Sequence, residues 1–362
     1  MKKNVSFLIC LGVLCVILTL GLWPFHRPAN HVSWIRGRPG LRFARFGVVA
    51  SSTTFGSTSP KRSSEASLEI WLQPRFIWDS STFLAFYGSN SLPQFSMRQL
   101  QTDLSIEVET GNRPTRTTRL EIKGIFRKGQ PSFITIASGV NGARIYLNGI
   151  PIGDAPRLHI SDSHFTGHLV LGDAPGQTDN WSGDLLGLAI YSRELTEAQV
   201  LHHSETWQLK GQPEIRGDDL NTALYLFNEG GGNIVRDKSF PGTNLYIPGK
   251  YKVMNQFFLE PLWTEFTTSR DYWGAAIKNV VGFIPFGFCF YMLMATQLNT
   301  RRPMTATIAL GTAVSLLIEI LQAWLPTRES GTTDIITNTF GTWIGVISFK
   351  FLRPTMARLL SR

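Results

Sequence analysis

The stretch "LLIEILQAWLPTRESGTTDIITNTFGTWIG", residues 316–345, contains two apolar segments separated by a short polar loop. The pattern predicts one helix over 304–325, a stop at Pro326 and a second helix over 335–352. Polar and charged side chains nevertheless stand within and beside these segments: Glu319, Gln322, Arg328, Glu329, Asp334 and Asn338. Their placement is the feature of this sequence that most needs a physical explanation.

Residues 5–23 and 280–297 are also long and apolar enough to cross a bilayer of about 30 Å. Residues 5–23 carry no charge and follow Met-Lys-Lys, as in a signal peptide, but no small-x-small cleavage site follows them. We therefore expect a retained signal anchor and four membrane helices. Residues 30–254 are polar, so a soluble domain is expected between the first and second helices.

The net charge of +9 is explained by membrane topology. Eight basic residues flank the apolar segments without neighbouring acids: Lys2, Lys3, Arg301, Arg302, Lys350, Arg353, Arg358 and Arg362. The remaining 27 basic residues face 26 acids. The positive-inside rule then predicts cytoplasmic termini and an extracytoplasmic soluble domain. The charge therefore gives no reason to expect a nucleic-acid partner.

The positions of the cysteines and histidines give no sign of a disulfide or a metal centre in the soluble domain. The three cysteines lie in apolar segments, so we expect no disulfide in the soluble domain: Cys10, Cys15 and Cys289. His159, His164 and His168 are close in sequence, but polar strand and loop positions account for them as well as a metal site would. We expect no metal ion and no cofactor.

The soluble region alternates apolar and polar residues with the period of β-strands, as in "SLEIWL" (67–72) and "LSIEVE" (104–109). "ARIYLNG" (143–149) ends in the hairpin pair Asn-Gly. Many short strands without intervening helices predict an all-β sandwich. One helix is expected over 195–203, where Thr196 and Gln199 form a capping box.

Two of these segments resemble the LamG, or concanavalin A-like, jelly-roll family: "RIYLNGIPIG" (144–153) and "GDLLGLAIYSRELTEAQVLHH" (183–203). The segment "ALYLFNEGGGNIVRDKSF" (223–240) resembles one that usually opens such domains, so we expect a circular permutation. The resemblance implies binding of polysaccharide or of a protein partner. Trp78, Tyr87 and Trp181 are candidate stacking platforms, with core packing as the alternative.

In the membrane part, Glu319 is expected about 9 Å below the outer end of its helix, with Gln322 one turn further out. Asp334 begins the next helix, where a carboxylate complements the helix dipole. Gly341 and Gly345 predict a small-residue contact surface on that helix. Six polar side chains are thus predicted to converge in the outer leaflet: Asn279, Glu319, Gln322, Arg328, Asp334 and Asn338.

"NVVGFIPFGF" (279–288) and "IEILQAWLPTRESGTTDIITNTFGTWIG" (318–345) resemble the VanZ-like family of integral membrane proteins. The resemblance implies a role on lipids or other envelope components; the large inserted domain argues against transferring a resistance role. The chain is expected to divide into a membrane anchor, a β-sandwich, an aromatic-rich interfacial linker and a three-helix VanZ-like membrane domain: 1–29, 30–254, 255–278 and 279–362.

Two functions fit this organisation. In the first, a membrane enzyme handles an envelope lipid or lipid-linked glycan, with Glu319 as general acid or base, Arg328 on a phosphate, and Asp334 beside them. Asn279, Gln322 and Asn338 then bind the substrate. In the second, a non-catalytic receptor or scaffold binds extracellular polysaccharide or a protein, and the polar side chains only join the helices. A transporter would need a homo-oligomer, because four spans are few.

Overall fold

The computed structural model describes residues 3–56, 63–88, 93–110, 117–175, 180–211, 221–239, 242–254, 258–266, 270–325, 328 and 330–360. Pro326 and Glu329 therefore lie outside the described residues. The chain forms two compact units. One comprises residues 28–255, and the other joins residues 1–27 to residues 256–362.

The first unit is a sandwich of two antiparallel sheets. The first sheet has the order β1-β2-β13-β4-β9-β10-β11, with β14 also paired to β13. Its strands are β1 (Val32–Trp34), β2 (Leu41–Phe43), β4 (Ala66–Pro74), β9 (Ser132–Gly139), β10 (Gly142–Leu147), β11 (Ile150–Ala155), β13 (Gly183–Tyr191) and β14 (Asn221–Tyr225).

The second sheet has the order β15-β16-β3-β12-β5-β6-β7-β8. Its strands are β3 (Val49–Ser51), β5 (Ser80–Tyr87), β6 (Pro93–Leu100), β7 (Asp103–Glu109), β8 (Thr117–Ile122), β12 (His168–Leu171), β15 (Ile234–Val235) and β16 (Leu245–Tyr246). A short 3-10 helix, Asp162–Phe165, precedes β12. The predicted all-β sandwich is confirmed.

The core lies between the two sheets and follows the period-2 pattern. The inward side chains of β4 and β7 are fully buried: Leu68, Ile70, Leu72, Leu104, Ile106 and Val108. At the β10–β11 turn, Asn148 and Gly149 both have positive φ, as a type I′ hairpin turn requires. Both features depend on neighbouring residues, which explains why the sequence predicts them.

Helix α2 (Glu197–Lys210) follows β13 and begins at the predicted capping box of Thr196 and Gln199. It packs on the outer face of the first sheet, where Val200 and Trp207 meet Phe133. The sandwich ends are also adjacent, because the Tyr251 N–H donates to the Pro28 carbonyl at 3.0 Å. Ala29 also forms an antiparallel bridge with Lys250, so the chain enters and leaves the sandwich side by side. The last strands, β15 and β16, extend the second sheet through β3.

The second unit is helical. Its helices are α1 (Lys3–Leu22), α3 (Leu262–Glu265), α4 (Arg270–Thr296), α5 (Pro303–Gln322) and α6 (Thr332–Leu360). Four of them, α1, α4, α5 and α6, contain stretches long and apolar enough to span a membrane. Helix α4 begins at Arg270, so residues 270–278, expected in the linker, are helical.

Helices α4 and α6 contact each other through glycine. A Cβ on Gly341 would lie 2.2 Å from the Val280 carbonyl oxygen, and one on Gly345 would lie 2.2 Å from that of Ile284. Real Cβ atoms do not approach backbone oxygens so closely, so only glycine permits this helix separation. The small-residue surface expected on α6 is therefore the contact surface with α4.

The four long helices alternate in direction. At one end of the unit, the Gln297 side chain near the end of α4 donates to the Ser6 hydroxyl near the start of α1, at 2.6 Å. Lys350, late in α6, contacts Met304, early in α5, at the same end. The opposite end therefore holds the ends of α1 and α5 and the beginnings of α4 and α6.

Candidate functional site

Helix α5 has an inverted distribution of polarity. Its apolar side chains on one side are exposed: Leu316, Leu317, Ile320 and Leu321. Ser315, Glu319 and Gln322, spaced four and three residues apart, are buried on the other side. This arrangement is favourable only where the surroundings are apolar, because lipid then contacts the leucines while the polar groups contact other helices.

Glu319 is 1% exposed, and its carboxylate is held by the loop before α6. The main-chain N–H of Gly331 donates to Oε2 of Glu319 at 2.9 Å. The described part of the linker lies against the same loop. The Glu260 N–H donates to the Ser330 carbonyl at 2.8 Å, and the Thr332 N–H donates to the Glu260 carbonyl at 3.0 Å. Part of the linker therefore supports the loop that binds Glu319.

Gln322 joins α5 to α1. Its side-chain N–H donates to the Gly21 carbonyl at 2.8 Å. Because a carbonyl can only accept, this bond fixes which end of the amide is nitrogen. The other end, Oε1, is buried and has no hydrogen-bond partner in the described part of the chain. A buried acceptor of this kind costs about 1–3 kcal/mol.

Asn338 repeats this pattern between α6 and α5. It is 5% exposed, and its side-chain N–H lies 2.9 Å from the Ser315 hydroxyl oxygen. Its Oδ1 atom is buried and has no partner among the residues that the structure describes. One turn later, the Thr342 hydroxyl donates to the Asn338 carbonyl at 3.0 Å. Two amide side chains thus bury an unused polar atom each.

Asn279 and Asp334 form a direct pair between α4 and α6. The Asn279 side-chain N–H donates to Oδ1 of Asp334 at 2.7 Å, and both residues are half-buried. Asp334 lies in the first turn of α6, where the helix dipole favours a negative charge. The pair therefore holds the beginnings of two helices together.

Arg328 is bound to the end of α1. Its Nε–H donates to the Trp23 carbonyl at 3.0 Å, and an Nη2–H donates to the Leu20 carbonyl at 3.2 Å. These are carbonyls that a helix end leaves without intrahelical partners. The guanidinium thus satisfies the last turn of α1 and joins it to the α5–α6 loop.

The six side chains singled out in the sequence lie at one end of the helical unit, although they make separate contacts. A carboxylate and two unused amide atoms are buried there, so the region has capacity for a ligand that donates hydrogen bonds. Sequence reasoning missed the main-chain partners Gly21, Leu20, Trp23 and Gly331. No sequence signal marks them, because every residue type carries the same main-chain groups.

Within the described residues, no cluster of three or more histidine, cysteine or carboxylate side chains could hold a metal ion.

Among the three aromatic candidates of the sandwich, Trp181 and Tyr87 are buried, whereas Trp78 is 62% exposed. Trp78 lies in the β4–β5 loop, and its ring centroid is 5.0 Å from that of Phe76.

Buried side chains hold this loop in place. The Trp181 indole N–H donates to the Gln99 side-chain oxygen at 2.8 Å, and the Gln99 side-chain N–H donates to the Phe76 carbonyl at 2.6 Å. The Arg75 N–H further donates to the Ser182 carbonyl at 3.0 Å. The exposed indole is therefore carried by a well-supported backbone.

Comparison with protein families finds two different domains in the chain. Residues 48–201 match the concanavalin A-like lectin/glucanases superfamily, and residues 226–353 match VanZ/LLP1. The second match begins inside the sandwich unit, in residues that include β15 and β16. No curated protein sequence matches the chain significantly.

Three solved structures are similar to the sandwich. The SAP-like pentraxin of Limulus polyphemus is 15% identical with a TM-score of 0.37, over 61% of this chain and 93% of the pentraxin. The receptor-binding domain of botulinum neurotoxin D is 11% identical with a TM-score of 0.37, over 58% and 61%. The CBM40 domain of the Ruminococcus gnavus IT-sialidase, bound to α2,3-sialyllactose, is 11% identical with a TM-score of 0.33, over 45% and 95%.

Sequence identities and TM-scores this low do not indicate which ligands the sandwich binds. The family matches and the described helices together assign the chain's two parts. The protein is a membrane protein that joins a concanavalin A-like β-sandwich to a VanZ-like helical domain.

Proposed function

We propose that the VanZ-like domain binds the hydroxyl-bearing headgroup of an envelope lipid or lipid-linked glycan, and that the sandwich binds glycan outside the membrane. The observation that carries the first part is the set of buried acceptors at one end of the helices. Glu319 is buried there with Oε1 of Gln322 and a side-chain polar atom of Asn338. A headgroup with several hydroxyl groups would supply hydrogen-bond partners for the two amide atoms, which have none in the described part of the chain.

Energetics favours a ligand over simple helix joining. An ionised side chain at the centre of a membrane helix costs about 2.5–3.5 kcal/mol, and less toward the interface. A hydrogen bond between membrane helices returns only about 0.6 kcal/mol on average. Helix joining alone is thus weak compensation for Glu319 and two unused amide atoms, whereas a bound headgroup would restore several hydrogen bonds at once.

The orientation in the membrane is part of the proposal. Arg301, Arg302, Lys350 and Arg353 lie at the end of the helices opposite Glu319. By the positive-inside rule, that end faces the cytoplasm, as do both termini. The end that carries Glu319 then opens to the outer leaflet.

If the domain also catalyses a reaction on the headgroup, Glu319 is the proposed general acid or base. Its carboxylate is buried among the polar side chains at this end of the helices. Arg328 contributes positive charge beside a phosphate-bearing headgroup, and Asp334 orients the site through Asn279. Gln322 and Asn338 bind substrate hydroxyls. In this assignment Glu319 gives a proton to, or takes one from, a headgroup hydroxyl that the amide side chains hold.

A non-catalytic scaffold is the second candidate, and one observation favours it. Arg328 and Gln322 already donate to main-chain carbonyls of α1, as residues that only join helices would. In that case the working part of the protein is the sandwich, where Trp78 offers an exposed ring of the kind that stacks on sugars.

Lipids that co-purify with the full chain distinguish these functions. We expect native mass spectrometry to find a polyhydroxylated or glycan-bearing lipid on wild type and to find it lost from Glu319→Gln and Gln322→Leu. Gln297→Leu is the matched control, because its Oε1 is also buried without a partner in the described residues but lies at the other end of the helices.

Identical lipid occupancy in all four proteins, each with unchanged thermal stability in detergent, would exclude the headgroup site. Loss of the lipid from Gln297→Leu alone would move the site to the cytoplasmic end. Profiling of lipids and cell wall in cells that carry the same variants then separates binding from turnover, because only an enzyme leaves an unprocessed precursor when Glu319 is replaced.

A further inference from the structure

Two short strands, β2 and β14, pair with the same edge of β13. Residues Gly183–Leu185 pair with β2, whereas residues Leu188–Tyr191 pair with β14. Two short strands therefore share one edge, and the chain must leave the sheet between them. The loops that do so, 34–40 and 226–232, diverge from the sheet beside each other. Among the described residues, no strand pairs with β13 between these two segments.

A cavity of about 490 Å³ lies at this point, lined by residues 34–39 together with Phe227, Asn228 and Gly230. Its volume falls in the range of small-ligand pockets, about 300–1,000 Å³. The two loops are tied together, because the Gly40 N–H donates to the Phe227 carbonyl at 2.8 Å. The hydrogen bond therefore holds the two walls of the cavity together.

The aromatic wall of the cavity is fixed in place. The Trp34 indole N–H donates to the Gly232 carbonyl at 2.8 Å, which sets the orientation of the ring. Gly232 ends the run Gly230-Gly231-Gly232, in which a Cβ on any residue would meet nothing within 4 Å. Gly230 and Gly232 have positive φ, so this run needs glycine for its backbone conformation.

Two arginine side chains line the cavity, Arg36 and Arg38. Arg38 and Arg42 both bind Asp184, at 2.9 Å and 2.8 Å. Arg36 and Asn228 are exposed and have no hydrogen-bond or ion-pair partner in the described part of the chain. The guanidinium of Arg38 is therefore engaged by Asp184, and Glu229, beside Asn228, lies 3.9 Å from the Lys238 ammonium. The guanidinium of Arg36 remains on the cavity wall to meet a ligand.

We propose that this cavity binds an anionic sugar unit, with the sugar ring against Trp34 and its carboxylate or phosphate at Arg36 and Asn228. Arginine suits this role because its planar donors match both anions. The inference deepens the proposed glycan binding of the sandwich and rests on it. It adds a charge preference that the exposed Trp78 ring does not supply by itself.

Binding of three probes to the full chain in nanodiscs tests the proposal: tetragalacturonate, a glycerol phosphate oligomer and neutral maltotetraose. The first two probes separate carboxylate from phosphate. We expect at least one anionic probe to bind more tightly than maltotetraose. Arg36→Ala should weaken it about tenfold, the value of one charge-assisted hydrogen bond. Asn228→Asp should weaken it as well, because the new charge repels the anion.

Arg157→Ala is the matched control, since Arg157 is an exposed arginine on another loop of the sandwich. Trp78→Ala separates this inference from the proposed function. If glycan binding is lost in Trp78→Ala but unchanged in Arg36→Ala and Asn228→Asp, the cavity site is wrong and glycan binding stands. If no probe binds wild type, both glycan proposals fall. Equal losses in Arg36→Ala and Arg157→Ala would also overturn the cavity site, because they indicate a diffuse charge effect.

Discussion

Glu69 in the sandwich and Glu319 in the helical unit are both buried carboxylates, but their surroundings differ. Glu69 accepts a hydrogen bond from the Tyr191 hydroxyl at 2.7 Å, and Nδ1 of His203 lies 3.1 Å from its other oxygen. These side chains come from β13 and α2, and both are buried. Three side chains thus converge on one another and join the helix to the sheet.

Glu319 is bound by a loop amide instead, and it is accompanied by amide side chains with unused polar atoms. A structural site uses its hydrogen-bonding capacity within the fold, as at Glu69. A binding site keeps capacity for a ligand and carries the energetic cost in its absence. The contrast leads us to assign Glu69 to stability and Glu319 to function, and it can be tested.

The largest effect is expected from Glu69→Ala. Removing one partner of a buried pair costs about 3–5 kcal/mol, because His203 and Tyr191 would be left buried without it. Hydrogen exchange of β4, β13 and α2 in the full chain measures the loss of local stability. Glu319→Gln should change the exchange of α5 by less than about 1 kcal/mol, since the glutamine oxygen still accepts from Gly331. Equal effects at the two sites would remove the distinction.

Gly345→Ala should rank next. The added Cβ meets main-chain atoms of α4 at 2.2 Å and 2.7 Å, so the two helices must separate, at a cost of about 1–3 kcal/mol. The melting temperature of the detergent-solubilised chain reports this loss. Gly282→Ala is the control on α4, because its Cβ would meet nothing within 4 Å. A destabilised Gly282→Ala of the same size would point to helix flexibility rather than contact.

A smaller, pH-dependent effect is expected at His164 in the sandwich. Burial lowers the pKa of His164 below 6.5, although hydrogen bonds to Glu109 and Ser161 oppose the shift. The Ser161 N–H donates to Nδ1 of the ring, and a protonated ring would lose that bond. The unfolded chain therefore takes up the proton first, and stability falls as the pH drops from about 6.5 toward the lower folded pKa.

The melting temperature of the sandwich between pH 5 and pH 8 measures this dependence. His164→Gln should flatten the decline on the acid side, whereas His159→Gln, at an exposed position, should leave it unchanged. An unchanged slope in His164→Gln would assign the acid sensitivity to another group.

The smallest effect concerns the pair of Asn279 and Asp334. A double-mutant cycle with alanine at each position, followed by unfolding in detergent, should give a coupling of about 0.6 kcal/mol, the average for hydrogen bonds between membrane helices. A coupling several times larger would mean that this pair, rather than the glycine contacts, fixes the register of α4 against α6.

The structure adds to several predictions in ways that the sequence cannot reveal. The aromatic and charged composition of residues 270–278 predicts an interfacial linker, and the structure adds that they form the first turns of α4. Tyr87 and Trp181 were candidate sugar platforms and are buried, since strand alternation alone does not tell which face of a sheet is covered. A role of Arg328 at a phosphate stays a prediction, and in the structure its guanidinium donates to main-chain carbonyls of α1.

The sequence by itself determined the four apolar helices, the alternating strands, the Asn148-Gly149 turn and the capping box of α2. Each of these depends on residues within a few positions of one another, so local spacing carries the information. Only the tertiary structure decided that Gly331 holds Glu319, that Gly21 holds Gln322, and that a cavity opens where β2 and β14 share an edge. Both hydrogen bonds use main-chain groups, and Gly21 lies 301 residues from Gln322 whereas Gly331 lies 12 residues from Glu319. Main-chain groups are chemically alike at nearly every position in the chain, so the sequence does not mark them.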